Sequence, residues 1–111
     1  MSNYDAVASV REFFGGVGYA GLVLPSGWFG RPYDNLLSLT RSEATPKSLL
    51  LELDDQLILS FSGDVRASAS EKGMELRGYT SLVFAWTEFG SNASDRDEFV
   101  SGTIEFVTWM S

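Results

Sequence analysis

The fold is decided by the stretch Leu49-Leu50-Leu51-Glu52-Leu53-Asp54-Asp55-Gln56-Leu57-Ile58-Leu59-Ser60-Phe61. Two short apolar runs lie on either side of three polar residues, and this pattern predicts a β-hairpin. A two-residue loop would mix apolar and polar side chains on each face, because slipping a strand by one residue inverts its faces. A three-residue loop puts the large apolar side chains on one face in three opposing pairs: Leu53 with Leu57, Leu51 with Leu59 and Leu49 with Phe61. Leu50 and Ile58 then lie on the opposite face beside Glu52 and Ser60, and we expect that face to be partly covered as well.

Further strands follow this hairpin along the chain. The alternation of residues 65–70 and 74–79 around Glu71-Lys72-Gly73 predicts a second hairpin with one face in water. The segment Leu82-Val83-Phe84-Ala85-Trp86 is apolar at successive positions, which predicts a central strand covered on both sides. We also expect a polar loop over residues 90–97, a long last strand from about Glu98 to Trp109, and two weaker strands near Tyr19–Leu24 and Leu36–Arg41.

The first residues have the period of a helix. One stripe about 120° wide holds five apolar side chains, as in a helix that lies on a core: Ala6, Val7, Val10, Phe13 and Phe14. We expect Ser2 or Asn3 to cap this helix and Gly15-Gly16 to end it. A helix followed only by strands predicts an α+β fold, in which an N-terminal helix packs on a mainly antiparallel β-sheet of about six to eight strands, as a roll, half-barrel or sandwich. The length of 111 residues suits a single domain over residues 1–111.

The composition excludes several chemistries. Histidine and cysteine are both absent, so imidazole bases, thiolate nucleophiles, zinc sites built on these ligands and disulfides are excluded. We expect no cofactor and no metal. The 15 acidic and 8 basic side chains give a net charge of −7, and the whole excess of acids lies after Lys47. We therefore expect no nucleic acid as a partner, and a charged partner should be basic. The N-terminus lacks the pattern of a secretory signal, and no apolar run approaches the ~20 residues of a membrane span, so we expect a cytoplasmic protein with no membrane contact.

Three motifs suggest chemistry, but their context argues against it. Gly16-Val17-Gly18-Tyr19-Ala20-Gly21 matches the G-x-G-x-x-G pattern. A dinucleotide site needs a strand before this pattern and a helix after it, whereas a helix precedes it here. Asp54-Asp55 is expected at a hairpin tip, where turn aspartates bind their own backbone and face water. Asp95-Arg96-Asp97-Glu98 lacks the spaced acids of a calcium loop and is expected to be a solvated loop.

The strand glutamates have an ordinary structural explanation. We expect Glu52, Glu88 and Glu105 to pair across the sheet with Arg66 or Arg77.

The segment from Leu24 to Asn35 is the strongest candidate for a binding site. It combines two prolines, two glycines and three aromatic residues with one arginine. Large rings and guanidinium groups bury much area at a low entropic cost, which is why they dominate binding hot spots. The alternative is structural: the aromatic residues plug one end of the sheet, while Pro32 and Asp34-Asn35 shape a turn. The candidate binding residues are Trp28, Phe29, Arg31, Tyr33 and Asp34.

These observations favour a non-enzymatic protein. The leading hypothesis is a small acidic intracellular protein–protein interaction module that docks or neutralises a basic partner. Because sheet edges must be paired or protected, a homodimer is a further alternative. The alternative from another class is a small-ligand-binding protein or a carboxylate-dependent hydrolase. It would use a pocket between helix and sheet and the side chains of Trp28, Tyr33, Arg31 and Asp34.

Overall fold

The computed structural model describes residues 3–28, 36–71, 73–87, 94–100 and 102–108. It confirms the expected α+β fold, with one N-terminal helix packed on an antiparallel sheet. The helix α1 covers Asn3–Val17. The described strands are β1 (Gly21–Leu24), β2 (Gly27–Trp28), β3 (Leu39–Thr45), β4 (Ser48–Leu53), β5 (Leu57–Ser70), β6 (Gly73–Thr87), β7 (Ser94–Phe99) and β8 (Ile104–Val107).

The β4–β5 hairpin has the predicted register. The structure pairs Leu53 with Leu57, Leu51 with Leu59 and Leu49 with Phe61. All six side chains are almost completely buried. The strand order is β2-β1-β8-β6-β5-β4-β3, and β7 pairs with the second half of β6. The hairpin that decides the fold therefore lies inside the sheet, between β6 and the edge strand β3, with its apolar face against the core.

Strands that were predicted separately are joined into two long strands. β5 joins the two predicted hairpins, and β6 joins the second hairpin to the predicted strand at residues 82–86. The sequence pattern placed an interruption near residues 62–64 and another near residue 80, but β5 and β6 continue through both. Gly63 and Gly78 take φ values of +93° and +87°, which other residues rarely adopt. The register of the β5–β6 ladder shifts between Ser62 and Gly63 and again between Gly63 and Arg66. Glycine therefore bends the strands at these positions instead of ending them.

The prediction of one continuous last strand from about Glu98 to Trp109 is wrong, because two separate strands occupy this part of the chain. β7 ends at Phe99 and β8 begins at Ile104, and the described residues between them, 100, 102 and 103, belong to no strand. Gly102 has a φ of +127°, and a Cβ atom there would lie 2.7 Å from Cβ of Pro25. The break therefore lies against the turn between β1 and β2. The polar loop was also placed too far along the chain, since Ser94–Asp97 belong to β7.

Helix α1 passes through Gly15-Gly16, where the sequence pattern ended it. It ends at Val17, and Gly18 follows with a φ of +80° and donates its N–H to the carbonyl oxygen of Phe14 at 2.8 Å. A glycine inside a helix costs only about 1 kcal/mol, whereas a left-handed residue after the last turn ends the helix. In the described part of the chain, no helix has the length and apolar character of a membrane span.

Asn3 ties the start of α1 to the sheet. Its side chain is 1% exposed. Its Nδ2 donates to the carbonyl oxygens of Thr45, Ser48 and Gly63 at 3.2, 3.2 and 2.9 Å, and its Oδ1 accepts from the N–H of Val65 at 2.8 Å. The sequence pattern offered Asn3 as a helix cap, but this side chain satisfies the backbone of three strands and their connections. A buried amide with four contacts fixes where the helix crosses the sheet.

Arg11 makes a second tie between the helix and the sheet. Its Nε donates to Oγ of Ser42 at 2.7 Å, and its guanidinium also donates to the carbonyl oxygen of Ser42 at 2.9 Å. Ser42 lies on β3, which is the last strand of the sheet order. The helix therefore covers part of an edge that would otherwise offer free backbone groups to another strand.

Candidate functional site

The candidate binding segment is described only at its start. Pro25-Ser26 forms a tight turn, and Gly27 and Trp28 pair with Leu24 and Val23 as the short strand β2, a hairpin that the sequence did not predict. The backbone of Trp28 is described, but its side chain lies outside the described residues. Phe29, Arg31, Tyr33 and Asp34 also lie outside the described residues. Their role in binding stays a prediction.

A second candidate surface is the outer face of the sheet, which we define as the side opposite α1 from β3 to β7. It consists of the residues that alternate with the core residues of each strand. Antiparallel pairing aligns these residues in two rows that cross all five strands. One row holds Glu43, Leu50, Ser60, Val83 and Glu98, and the other holds Arg41, Glu52, Ile58, Ala85 and Arg96.

The centre of the outer face is aliphatic. Leu50, Ile58, Val83 and Ala85 are each half-buried. Helix α1 packs on β3, β4 and β5 from the other side, and no described helix or strand lies over these four side chains. The sequence predicted that this face is partly covered, and that Val83 and Ala85 belong to a strand covered on both sides. The intermediate burial of these four side chains agrees with partial cover, but no described helix or strand supplies the cover on both sides that was predicted for Val83 and Ala85.

Glutamates border this aliphatic centre. Glu43 and Glu98 occupy opposite ends of one row and are exposed, while Glu52 lies within the other row and is half-buried. Glu43 makes an ion pair with Arg41 at 2.9 Å. The hydrogen bond from Arg41 to Glu43, together with the charge of Glu43, raises the pKa of Arg41 above its ordinary value. This pair is exposed to water, so we assign it a role in surface charge and not in stability.

Further acids lie at one end of the sheet. Asp54 and Asp55 form the β4–β5 turn with φ values of 54° and 58°. Oδ1 of Asp54 accepts from both the backbone N–H and the Oγ of Ser38 at 2.9 Å. Asp55 is exposed. Asp54 therefore holds the start of β3 against the turn. The predicted position at the hairpin tip is confirmed, and Asp55 faces water as predicted, but Asp54 binds Ser38 from another part of the chain instead of its own backbone.

At the other end of the outer face, side chains of like charge lie opposite each other on neighbouring strands. Beyond the bends at Gly63 and Gly78, Arg66 lies directly opposite Arg77, and Glu75 lies directly opposite Glu105. We call these pairs the arginine row and the glutamate row. The expected cross-strand pairing of Glu105 with Arg66 or Arg77 is therefore wrong, because Glu105 faces another glutamate. Nη1 of Arg77 is 3.9 Å from Oε1 of Glu75, and Oγ of Ser68 donates to that same oxygen at 3.3 Å.

A shallow groove of about 260 Å³ lies between α1 and the β5–β6 hairpin. Its apolar floor comes from Phe13, Met74 and the neighbouring alanines. Glu12 lies on its wall and is exposed, and Ser9 and Ser68 provide hydroxyl groups. The groove is where the ligand-binding alternative places its pocket. The side chains predicted for that pocket lie outside the described residues, so their place relative to this groove stays a prediction.

The remaining motifs have structural roles in this fold. Gly16 lies inside α1, Gly18 follows its end and Gly21 begins β1, so the G-x-G-x-x-G match marks a helix-to-strand connection. Asp95–Glu98 belong to β7, which pairs with β6. Among the described residues, no three acidic side chains converge to hold a metal ion. Comparison of the chain with protein-family models, with curated proteins and with solved structures finds no match in any of the three.

Proposed function

We propose that this chain is a protein–protein interaction module and that the outer face of its sheet docks a basic partner. The observation that carries the proposal is the aliphatic centre of that face, which no described element covers and which glutamates border. Half-buried aliphatic side chains gain free energy when a partner covers them, at about 25 cal/mol per Å² of apolar surface. Glutamates outnumber arginines by three to two in the two rows, which favours a partner of positive charge.

The net charge of −7 supports a basic partner. A long-range field of one sign speeds the encounter with an oppositely charged surface and rejects surfaces of like charge. Two arginines, Arg41 and Arg96, occupy the ends of the second row and reduce the acidic character of the outer face, although Arg41 is already paired with Glu43. The contribution of charge is therefore to orientation and association rate, while the aliphatic centre contributes the affinity.

The alternative function has weaker support. A carboxylate-dependent hydrolase needs two acids in different environments, one that holds a proton and one that is ionised. Within the described residues, the groove beside α1 has a single carboxylate in its walls, that of Glu12, and it is exposed. A shallow groove with one solvated acid suits a contact surface better than a reaction centre.

Co-purification from the cells that make the protein tests this proposal. The test variant is Ile58→Arg, which puts a positive charge in the centre of the outer face. The matched control is Tyr4→Arg, which makes the same charge change on α1, where Tyr4 is 53% exposed. Both substitutions are at partly or well exposed positions, so both variants should keep the fold, which circular dichroism and thermal melting will check.

We expect a partner with an excess of lysine and arginine to be captured by the wild type and by Tyr4→Arg. We expect its recovery to fall at least tenfold with Ile58→Arg, because a central contact becomes a buried like-charge contact. Equal recovery with Ile58→Arg would place the contact elsewhere. A captured partner with an acidic surface would also refute the proposal.

A further inference from the structure

We infer that the groove between α1 and the β5–β6 hairpin binds a small aromatic amine, with the ring on the apolar floor and the ammonium group beside Glu12. The groove is lined by α1, so it lies on the opposite side of the sheet from the outer face, and this inference does not depend on the proposed basic partner. It rests on the chemistry of the floor, the size of the groove and the charge of its walls.

The floor of the groove suits an aromatic ring. Met74 is buried there, and Phe13 is half-buried. The ring of Phe13 packs on the rings of Phe14 and Phe106, with centroids 5.3 and 6.4 Å away, so it is held in place before any ligand arrives. Ring–ring contacts and contacts between a thioether sulfur and a ring both add to the free energy gained by burying area. The floor is therefore preformed for a flat apolar group.

Small residues opposite α1 leave the groove open and limit its size. Ala67 and Ala69 of β5 and Gly73 of β6 line it, where larger side chains would fill it. Its volume of about 260 Å³ is below the ~300 to 1,000 Å³ of pockets that hold drug-sized molecules. The groove therefore has room for a single ring with a short chain, but not for a ligand as large as a nucleotide.

The walls of the groove favour a positive charge on the ligand. Among the described residues that line it, Glu12 has the one carboxylate and none is basic. Ser9 lies three residues before Glu12, so its hydroxyl group is on the same face of α1. An ammonium group can contact both the carboxylate and the hydroxyl oxygen while its ring lies on the floor. A ligand with a carboxylate would meet a like charge, and the net charge of −7 opposes it further.

The open shape of the groove sets the strength of binding. A ligand of one ring and a short chain makes few contacts in a shallow site, so we expect a dissociation constant on the order of 1 mM. Because Glu12 is exposed, water and salt screen its ion pair, and the charge should improve affinity only about threefold.

Titration of the purified, isotope-labelled chain with phenethylamine at neutral pH, followed by NMR, tests this inference. Phenethyl alcohol is the matched neutral probe, and hydrocinnamate is the matched anion. The test variants are Glu12→Gln, which removes the charge, and Ala69→Leu, which fills the groove from an exposed position. The control is Glu43→Gln, which makes the same charge change at an exposed position of the outer face. The spectrum of each variant also reports whether it is folded.

We expect the amine to shift the amide signals of Phe13, Ala69 and Met74, and the alcohol to shift the same signals with about threefold weaker affinity. Glu12→Gln should lower the affinity for the amine to that for the alcohol and leave the alcohol unaffected, whereas Glu43→Gln should change neither. Ala69→Leu should weaken both ligands at least fivefold. Salt at about 1 M, where the screening length is about 3 Å, should remove the advantage of the amine.

Four results would overturn the inference. They are no saturable shift with about 20 mM amine, equal or tighter binding of the alcohol or the anion, an unchanged affinity for the amine in Glu12→Gln, and unchanged binding in a folded Ala69→Leu. Because the assay contains only this chain and the probe, none of these results bears on the proposed basic partner.

Discussion

Replacing Asn3 by alanine should remove a large part of the stability of this fold. The side chain forms four hydrogen-bond contacts with groups that are 42 to 62 residues away in sequence. The Nδ2 group has two hydrogens shared among three carbonyl oxygens, and Oδ1 accepts one more bond, so about three full hydrogen bonds are lost. At about 1 kcal/mol each, the free energy of unfolding should fall by about 3 kcal/mol. This is a large fraction of the stability of a small domain.

Urea unfolding at 25 °C, followed by tryptophan fluorescence and by circular dichroism, measures this change. The expected result is a lower midpoint with an unchanged slope, because the surface exposed on unfolding stays the same. Asn3→Asp should also destabilise the protein at neutral pH, since it keeps the acceptor for Val65 but turns a negative oxygen toward three carbonyl groups. Tyr4→Ala is the control from the next position, and its exposed side chain predicts a change within about 0.5 kcal/mol. A loss of less than about 1 kcal/mol for Asn3→Ala would refute the argument that this amide anchors the helix.

Three other substitutions test the packing and pH dependence of the sheet. Gly73→Ala should destabilise the fold severely, because its Cβ would lie 2.0 Å from the carbonyl oxygen of Phe106; a thermal melt like that of the wild type would contradict this. Gly15→Ala should stabilise the protein by about 0.5 to 1 kcal/mol in the same melt, since nothing lies within 4 Å of its Cβ and alanine favours the helix; no gain would indicate a frayed last turn. Tyr79→Phe should be neutral or stabilising in urea, because the buried hydroxyl of Tyr79 makes no hydrogen bond with a described residue; a clear loss would reveal a missing partner. Burial raises the pKa of Tyr79 above 10, so its neutral form is favoured in the folded state, and the wild type should lose stability as the pH rises above 10 more steeply than Tyr79→Phe.

The central hairpin could be predicted from the sequence because its two strands have only one register that keeps every large side chain on one face. The pairs from Leu53–Leu57 to Leu49–Phe61 follow from a side-chain period of two, and they need no knowledge of the rest of the chain. The helical stripe was predictable for the same reason. Both elements repeat a local pattern that only one geometry satisfies.

The ends and connections of the elements could not be predicted in this way. Glycine residues in the sequence indicate where the chain can turn, but they do not indicate whether the helix or strand ends there. Gly15 and Gly16 lie inside a helix, whereas Gly63 and Gly78 bend strands that continue. The outcome depends on what packs against each glycine, which is set by the whole fold.

The candidate surfaces could be predicted only in part from the sequence. Leu50 and Ile58 were assigned to the face opposite the core, and this holds. Their alignment with Val83 and with the glutamates of β3 and β7 depends on the strand order, which no local pattern encodes. The contacts of Asn3 depend on the same order, since its partners come from two separate parts of the chain, residues 45–48 and residues 63–65. The binding hypothesis for Trp28 to Asp34 remains a prediction from residue types alone.

The most direct test of the docking surface is cross-linking in the living cell from a photoreactive amino acid placed at position 58. The account predicts a discrete adduct between this chain and a protein rich in lysine and arginine. The same probe at position 4, on the exposed side of α1, should give no such adduct. An adduct of equal yield from both positions, or none from position 58 while position 4 captures the partner, would contradict the claim that the outer face of the sheet is where this protein binds.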